Sequence, residues 1–200
     1  MKREAEFRSQ PLVLKSFDRI LSHAVGANLV IDMLLTNARK TQAKKDSFLT
    51  FEAVEFVREI METYHFKSDE AERVSLVVCS GFYFRGTEVL MKHVIYNLLK
   101  NALKAIKEVS KGKIVIYISA EGKHGRIAVT DNGPGVPLAF QPLLFRPFST
   151  TSQDDTGTGL GLAFCSMAID DFEGKIQYSD ASNGGAEFTI VVPAVEKEDV

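Results

Sequence analysis

The sequence predicts an α+β chain: a two-layer α/β sandwich, with helices on one face of a mixed sheet, preceded by one long helix. Three observations carry this expectation. Runs with strand-like alternation are separated by helical runs without alternating strictly with them. The hydrophobic content, 45% of 200 residues, is enough for one good core and a smaller appendage. Two glycine-rich turns, Asp131-Asn-Gly-Pro-Gly-Val136 and Gly157-Thr-Gly-Leu-Gly-Leu162, follow a strand and precede a helix.

Leu12 to Ala43 reads as one long helix. Leu14, Phe17, Leu21, Ala24, Ile31, Leu34 and Ala38 keep near-heptad spacing, interrupted at Asn28. Pro11 suits its first turn. Gly26 costs roughly 1 kcal/mol relative to Ala there, so packing against another helix must hold it. Ala43-Lys-Lys-Asp-Ser is a polar break. Phe48 to Phe51 suits a short strand, and Phe51 to Met61 begins a second helix. Val74 to Cys79 reads as a strand, followed by a tighter piece, Phe82 to Gly86. Glu88 to Val109 is an amphipathic helix. Lys113 to Ser119 and Arg126 to Asp131 alternate as strands about a hairpin-like turn, Glu121-Gly-Lys-His-Gly.

Pro137 to Thr156 combines prolines with a Ser/Thr/Asp tract. A loop of this length in a compact domain is expected to be a lid. Leu160 to Asp171 is a helix. Lys175 to Ser179 and Ala186 to Val192 are strands around Ser182-Asn-Gly-Gly, and Glu196 to Val200 is a charged tail.

The bulk numbers bound the partners. A formal charge of −2 gives no electrostatic pull toward nucleic acid or acidic lipid, so any phosphate pocket must be local. No apolar run approaches the roughly 20 residues of a membrane span, and the N-terminus lacks a signal-peptide core. A cytoplasmic location, or the cytoplasmic portion of a membrane-anchored sensor, is expected. Cys79 and Cys165 show no metal-ligand spacing and are expected to be buried free thiols in a reducing compartment.

Three features bear chemistry. Asn97, Asn101 and Lys104 share one helical face by their i, i+4, i+7 spacing. Amide oxygens suit the oxygen shell of Mg²⁺, which leans on nucleotide phosphates, and a lysine one turn on pairs with phosphate. Asp131, at a strand end, is placed to accept a hydrogen bond from an adenine amino group. The second glycine turn presents backbone N–H groups to an anion at a helix start. No strand directly precedes that turn, which excludes a dinucleotide-binding reading. Between the turns, Phe145 and Phe148 are spaced to anchor a loop. Ser149, Thr150 and Thr151 can offer hydroxyls to phosphates. Together these features read as an ATP and Mg²⁺ site.

Taken in order, they resemble a known family. Asn97 to Lys104 resembles the N box of sensor histidine kinases, Asp131 to Gly135 the G1 box, Phe145 to Thr151 the F box and Gly157 to Gly161 the G2 box. These kinases belong to the ATPase superfamily of gyrase, Hsp90, histidine kinases and MutL. The likeness spans about Phe48 to Pro193 and implies the Bergerat fold, with the nucleotide beneath a mobile lid. It implies Asn101 as the Mg²⁺ ligand, Asn97 on the phosphate side, Lys104 on phosphate and Asp131 on adenine. Gly133 and Gly135 would let the backbone approach the base. Gly157, Thr158, Gly159, Leu160 and Gly161 would hinge the lid and present amides.

The sequence departs from the family at Ala105-Ile106, where many members have an aromatic residue. It departs again at Ser152, where a subgroup carries a lysine; Arg146 is the substitute expected for that γ-phosphate contact. The resemblance divides the chain into residues 1–45, a partial dimerisation and phosphotransfer helix, residues 46–195, the ATP-binding catalytic domain, and residues 196–200, a tail.

None of His23, His65, His93 and His124 has the flanks of the family's H box. His23, on the long helix, is the only serious candidate and lacks an acidic neighbour to take the imidazole proton. Leu12 to Ala43 resembles the second helix of a dimerisation bundle, so the H-box helix is expected before residue 1. Ile31 to Arg39 resembles hybrid kinases that sense quorum-sensing autoinducers. The resemblance implies a response regulator or receiver domain as partner and a homodimeric parent protein. Alternative readings are an ATP-gated signalling module without kinase activity and an anti-sigma-type serine kinase.

Overall fold

The structure, a computed structural model, describes residues 48–67, 69–150, 159–182 and 184–197. The helix expected over Leu12 to Ala43, with His23, lies outside the described residues, as do Thr151, Gly157 and Thr158.

Among the described residues, seven strands and three α-helices follow one another. They are β1 (Leu49–Glu52), α1 (Ala53–Thr63), β2 (Val74–Val78), β3 (Tyr83–Gly86), α2 (Glu88–Ala105), β4 (Ile114–Glu121), β5 (His124–Asp131), α3 (Gly161–Asp171), β6 (Lys175–Asp180) and β7 (Ala186–Pro193). Five strands form one sheet in the order β2-β4-β5-β7-β6, and β1 pairs with β3 in a two-stranded sheet. β2 runs parallel to β4, and the other neighbours are antiparallel, giving the mixed sheet expected.

Period-two alternation decides which face each strand buries. On β4, Ile114, Ile116 and Ile118 are fully buried while Tyr117 between them is exposed. Ile127 and Val129 of β5 and Phe188, Ile190 and Val192 of β7 continue the same face. Against it lie the apolar stripes of α2 (Met91, Val94, Ile95, Leu98, Leu99) and α3 (Ala163, Phe164, Cys165, Ala168, Ile169). A phenylalanine cluster joins the small sheet to this core. Phe51, Phe56 and Phe84 pack mutually at 5.2–5.7 Å between ring centres, and Phe48 meets Phe172 edge-on at 5.5 Å. Lys92 ties α2 to α1 through Glu59 (2.9 Å) and also pairs with Glu88 of its own helix (2.7 Å).

Two expectations need correction. Cys165 is buried, but Cys79 is exposed. It follows β2, an edge strand whose Val77 and Val78 are themselves about two-fifths exposed, so apolar sequence neighbours did not bring burial. Helix α2 ends at Ala105 rather than at Val109. Ile106 leaves helical geometry to enter the core, and the chain turns through Val109 and Gly112 into β4. The described part of the expected lid, residues 137–150, is a run of turns as a loop should be. Phe140 N–H reaches Pro137 O at 2.8 Å, a 3₁₀ turn spans Gln141–Leu143, and Leu144 is buried. No described helix is long and apolar enough to cross a membrane.

Candidate nucleotide site

A cleft of about 540 Å³ opens between α2, the loop after β5, and the start of α3. That volume is of the size that holds a nucleotide-like ligand. Its two ends differ in chemistry.

At one end stands Asp131, the last residue of β5. Among the described residues it is the one buried charged side chain, 4% exposed. Its Oδ1 accepts the N–H of Gly133 at 2.8 Å and that of Ala186 at 3.4 Å. Both bonds fall on one oxygen, which leaves Oδ2 for a ligand in the cleft. Burial pushes the carboxyl pKa up, and the two backbone bonds oppose that rise without cancelling it. Ala105, Val136, Phe140, Leu144 and Phe188 supply apolar walls suited to a flat ring.

At the other end, Asn101 and Lys104 reach the cleft from the exposed side of α2, with Lys100 beside them. Helix α3 begins here. Among the described residues no side-chain bond caps its first turn, and Gly159, Gly161 and Leu162 line the cleft. A helix start of this kind suits an anion through its first amide groups and the helix dipole. Asn97 donates its Nδ2 to His93 O at 2.9 Å, which turns its Oδ1 toward Gly161. Ser149 and Thr150 also line this end.

The residues singled out in the sequence thus divide. Asn97, Asn101, Lys104, Asp131, Gly135, Gly159 and Gly161 come together around one cleft. Gly133 acts one step back, as the donor to Asp131; a β-carbon there would lie 2.8 Å from Oδ1. Leu160 is buried directly before α3. Phe145 and Phe148 do not act as a pair. Phe145 packs edge-on against Phe188 at 6.4 Å, whereas Phe148 is 76% exposed with φ of +64°. The positive φ turns Phe148 off the core, and Gly159 packs against the backbone of Phe148 and Ser149. Arg146 is exposed and does not line the cleft.

Several residues that shape the site were not singled out from the sequence. Gly185 adopts φ of +91° and lies directly under the Asp131 carbonyl, bringing the N–H of Ala186 to the carboxylate. The Gly-Gly pair was legible as a turn, but its contact with a strand 55 residues earlier was not. Asn132 fastens the chain before β4: its Oδ1 accepts Lys113 N–H at 2.7 Å and its Nδ2 donates to Lys111 O at 2.9 Å.

Residues 86–196 match the family described as histidine kinase-, DNA gyrase B- and HSP90-like ATPase. The chain is 30% identical over 174 residues to the CAI-1 autoinducer sensor kinase/phosphatase CqsS of Vibrio cholerae, covering 86% of this chain and 25% of that protein. It is 30% identical over 192 residues to the alginate biosynthesis sensor protein KinB of Pseudomonas aeruginosa, covering 94% of this chain and 31% of that protein. The chain therefore spans less than a third of these curated relatives. Among solved structures, the nucleotide-free catalytic domain of the histidine kinase ThkA superposes with a TM-score of 0.63 at 27% identity, covering 74% of this chain and 97% of that one. Full-length ShkA in complex with AMPPNP gives 0.71 at 25% identity, covering 96% of this chain and 40% of that one. The match over residues 86–196, more than half of the chain, together with these relatives makes this protein a member of the histidine kinase-, DNA gyrase B- and HSP90-like ATPase family, with the catalytic ATPase domain of sensor histidine kinases.

Proposed function

We propose that this chain binds Mg·ATP and forms the catalytic part of a two-component sensor histidine kinase. It would pass the γ-phosphoryl group to a histidine on a dimerisation helix of the parent protein, and thence to an aspartate of a response regulator. The observation that carries this reading is the lining of one cleft, which brings the buried carboxylate of Asp131 and an apolar wall together with Asn101, Lys104 and the start of α3.

Asp131 accepts from the adenine amino group through Oδ2 while Gly133 and Ala186 hold Oδ1 in place. Lys104 and the first amides of α3 carry the phosphate charge. Among the described residues no cluster of three His, Cys, Asp or Glu side chains could hold a metal ion. A hard cation here relies instead on amide and phosphate oxygens, a donor set that suits Mg²⁺. Asn101 would hold it with the nucleotide, and Asn97, fixed by His93, supports that side. The cation supplies charge neutralisation on the transferring phosphoryl oxygens.

Two observations argue for transfer to a separate acceptor. Asp131 is the one carboxylate among the described residues that line the cleft, and this reading assigns it to the base. The described histidines also lie elsewhere. His65 and His124 are exposed, and His93 packs against Phe164. The parent protein is read as a cytoplasmic or membrane-anchored homodimer.

The test uses γ-labelled ATP. The 200-residue chain should bind ATP and label itself little. Added to a dimerisation bundle bearing its acceptor histidine, it should yield an acid-labile phosphoprotein. An acid-stable product would point to a serine kinase, and ATP binding without transfer to a signalling module.

A further inference from the structure

Residues 132–140 form the cleft wall beside Asp131, and two side-chain clusters hold this segment. Asn132 fixes its start. Its middle is fixed from β6, the far edge of the sheet. Tyr178 Oη accepts the N–H of Val136 at 3.3 Å and donates to Asp180. Gln141 donates through Nε2 to Val136 O (3.1 Å) and to Asp180 Oδ1 (3.3 Å). Both backbone polar groups of Val136 are thus bonded to side chains of one cluster. The Tyr178 ring packs on Phe188 at 5.4 Å, and Phe188 lines the cleft and carries Phe145. Burial, and then the bond to Asp180, push the Tyr178 phenol above its ordinary pKa, so it stays a donor through the physiological range.

We propose that Tyr178 is a positioning residue for the base end of the nucleotide cleft, its hydroxyl holding Val136 and its ring holding Phe188, with Asp180 and Gln141 completing a latch to the sheet edge. The proposal rests on the adenine-nucleotide reading above. Asp180 is exposed and Tyr178 half-buried. Hydrogen bonds so placed add little to global stability, yet they decide where the wall stands.

The test measures binding of ATP, ADP and adenosine to the 200-residue chain and to Tyr178→Phe, Asp180→Ala and the double variant. Tyr178→Phe keeps the ring on Phe188 and removes only the hydroxyl. It should weaken all three ligands by the same factor, about fivefold, because the defect lies at the base they share. Lys104→Ala should instead weaken ATP far more than adenosine. The loss in the double variant should fall short of the sum of the two single losses, since Asp180 partners both Tyr178 and Gln141 and the two arms meet at Val136. The urea midpoint of the ligand-free protein should stay near that of the parent, a readout that separates positioning from stability. Unchanged affinity in Tyr178→Phe, a loss that grows with phosphate number, or additive losses in the double variant would overturn the latch alone. A parent chain that binds no adenosine or ATP would overturn the nucleotide reading and the latch with it.

Discussion

The amide oxygen of Asn97 lies 2.7 Å from the point that a β-carbon would occupy on Gly161. One residue belongs to α2 and the other opens α3, so the Asn97 amide and the start of α3 are fitted to each other, and a methyl group on Gly161 enters only if the amide moves. Gly161 has no positive φ, and alanine suits a helix start better than glycine. The constraint is therefore one of the site and not of the backbone.

Gly161→Ala should weaken ATP binding by about tenfold while leaving the thermal midpoint of the ligand-free protein unchanged or slightly raised. The far end of the Asn97 side chain can move aside, which spares the fold and displaces the amide. Calorimetric titration alongside a thermal melt checks both halves. A lower midpoint would mean that the contact is structural.

Asp131→Asn separates recognition from stability. The amide oxygen of Asn can keep both bonds from Gly133 and Ala186, which places its NH₂ where Oδ2 now stands. A donor then meets the adenine amino donor, and ATP binding should fall by about ten- to a hundredfold, with the preference for ATP over GTP lost. The same change should stabilise the ligand-free fold at neutral pH. The folded carboxyl has a raised pKa, so it binds its proton more tightly than in the unfolded chain. Parent stability therefore falls as pH rises from the ordinary carboxylate range through the raised value, and is level above it. The advantage of Asp131→Asn should appear across that window and vanish below it. Melts from pH 3 to 8 measure this, and an advantage independent of pH would contradict it.

Gly185→Ala should damage fold and site together. Its φ of +91° is strained for any L side chain, and a β-carbon would fall 2.0 Å from the Asp131 carbonyl oxygen, a backbone atom with nowhere to go. A loss of at least about 2 kcal/mol is expected, or a fall of about 4 °C or more in the thermal midpoint. Gly184→Ala is the control. Gly184 also has positive φ, +81°, but a β-carbon there meets nothing within 4 Å, so its cost should be only about 1 kcal/mol. Equal effects at the two positions would show that the contact with Asp131 does not matter.

Local pattern by itself determined much of this protein. Alternation in Ile114 to Ser119 and helical spacing in Glu88 to Leu103 fix which faces are apolar, because each is a periodicity of the chain's own geometry. The order of Asn97, Asp131, Gly159 and Gly161 gave the two chemical ends of the cleft, because each stands at a helix face, strand end or turn that is legible within a few residues. Contacts between distant segments were decided only by the tertiary structure. Cys79 is exposed because β2 became an edge, and strand order is not written in a strand's own residues. Phe148 turns outward while Phe145 packs, although the two look alike in sequence. Gly185 meets Asp131 and Tyr178 meets Val136 only because β5, β7 and β6 lie side by side. The chain carries its functional groups in local motifs, but the hydrogen bonds that aim them come from residues brought near by packing, and no local period records that.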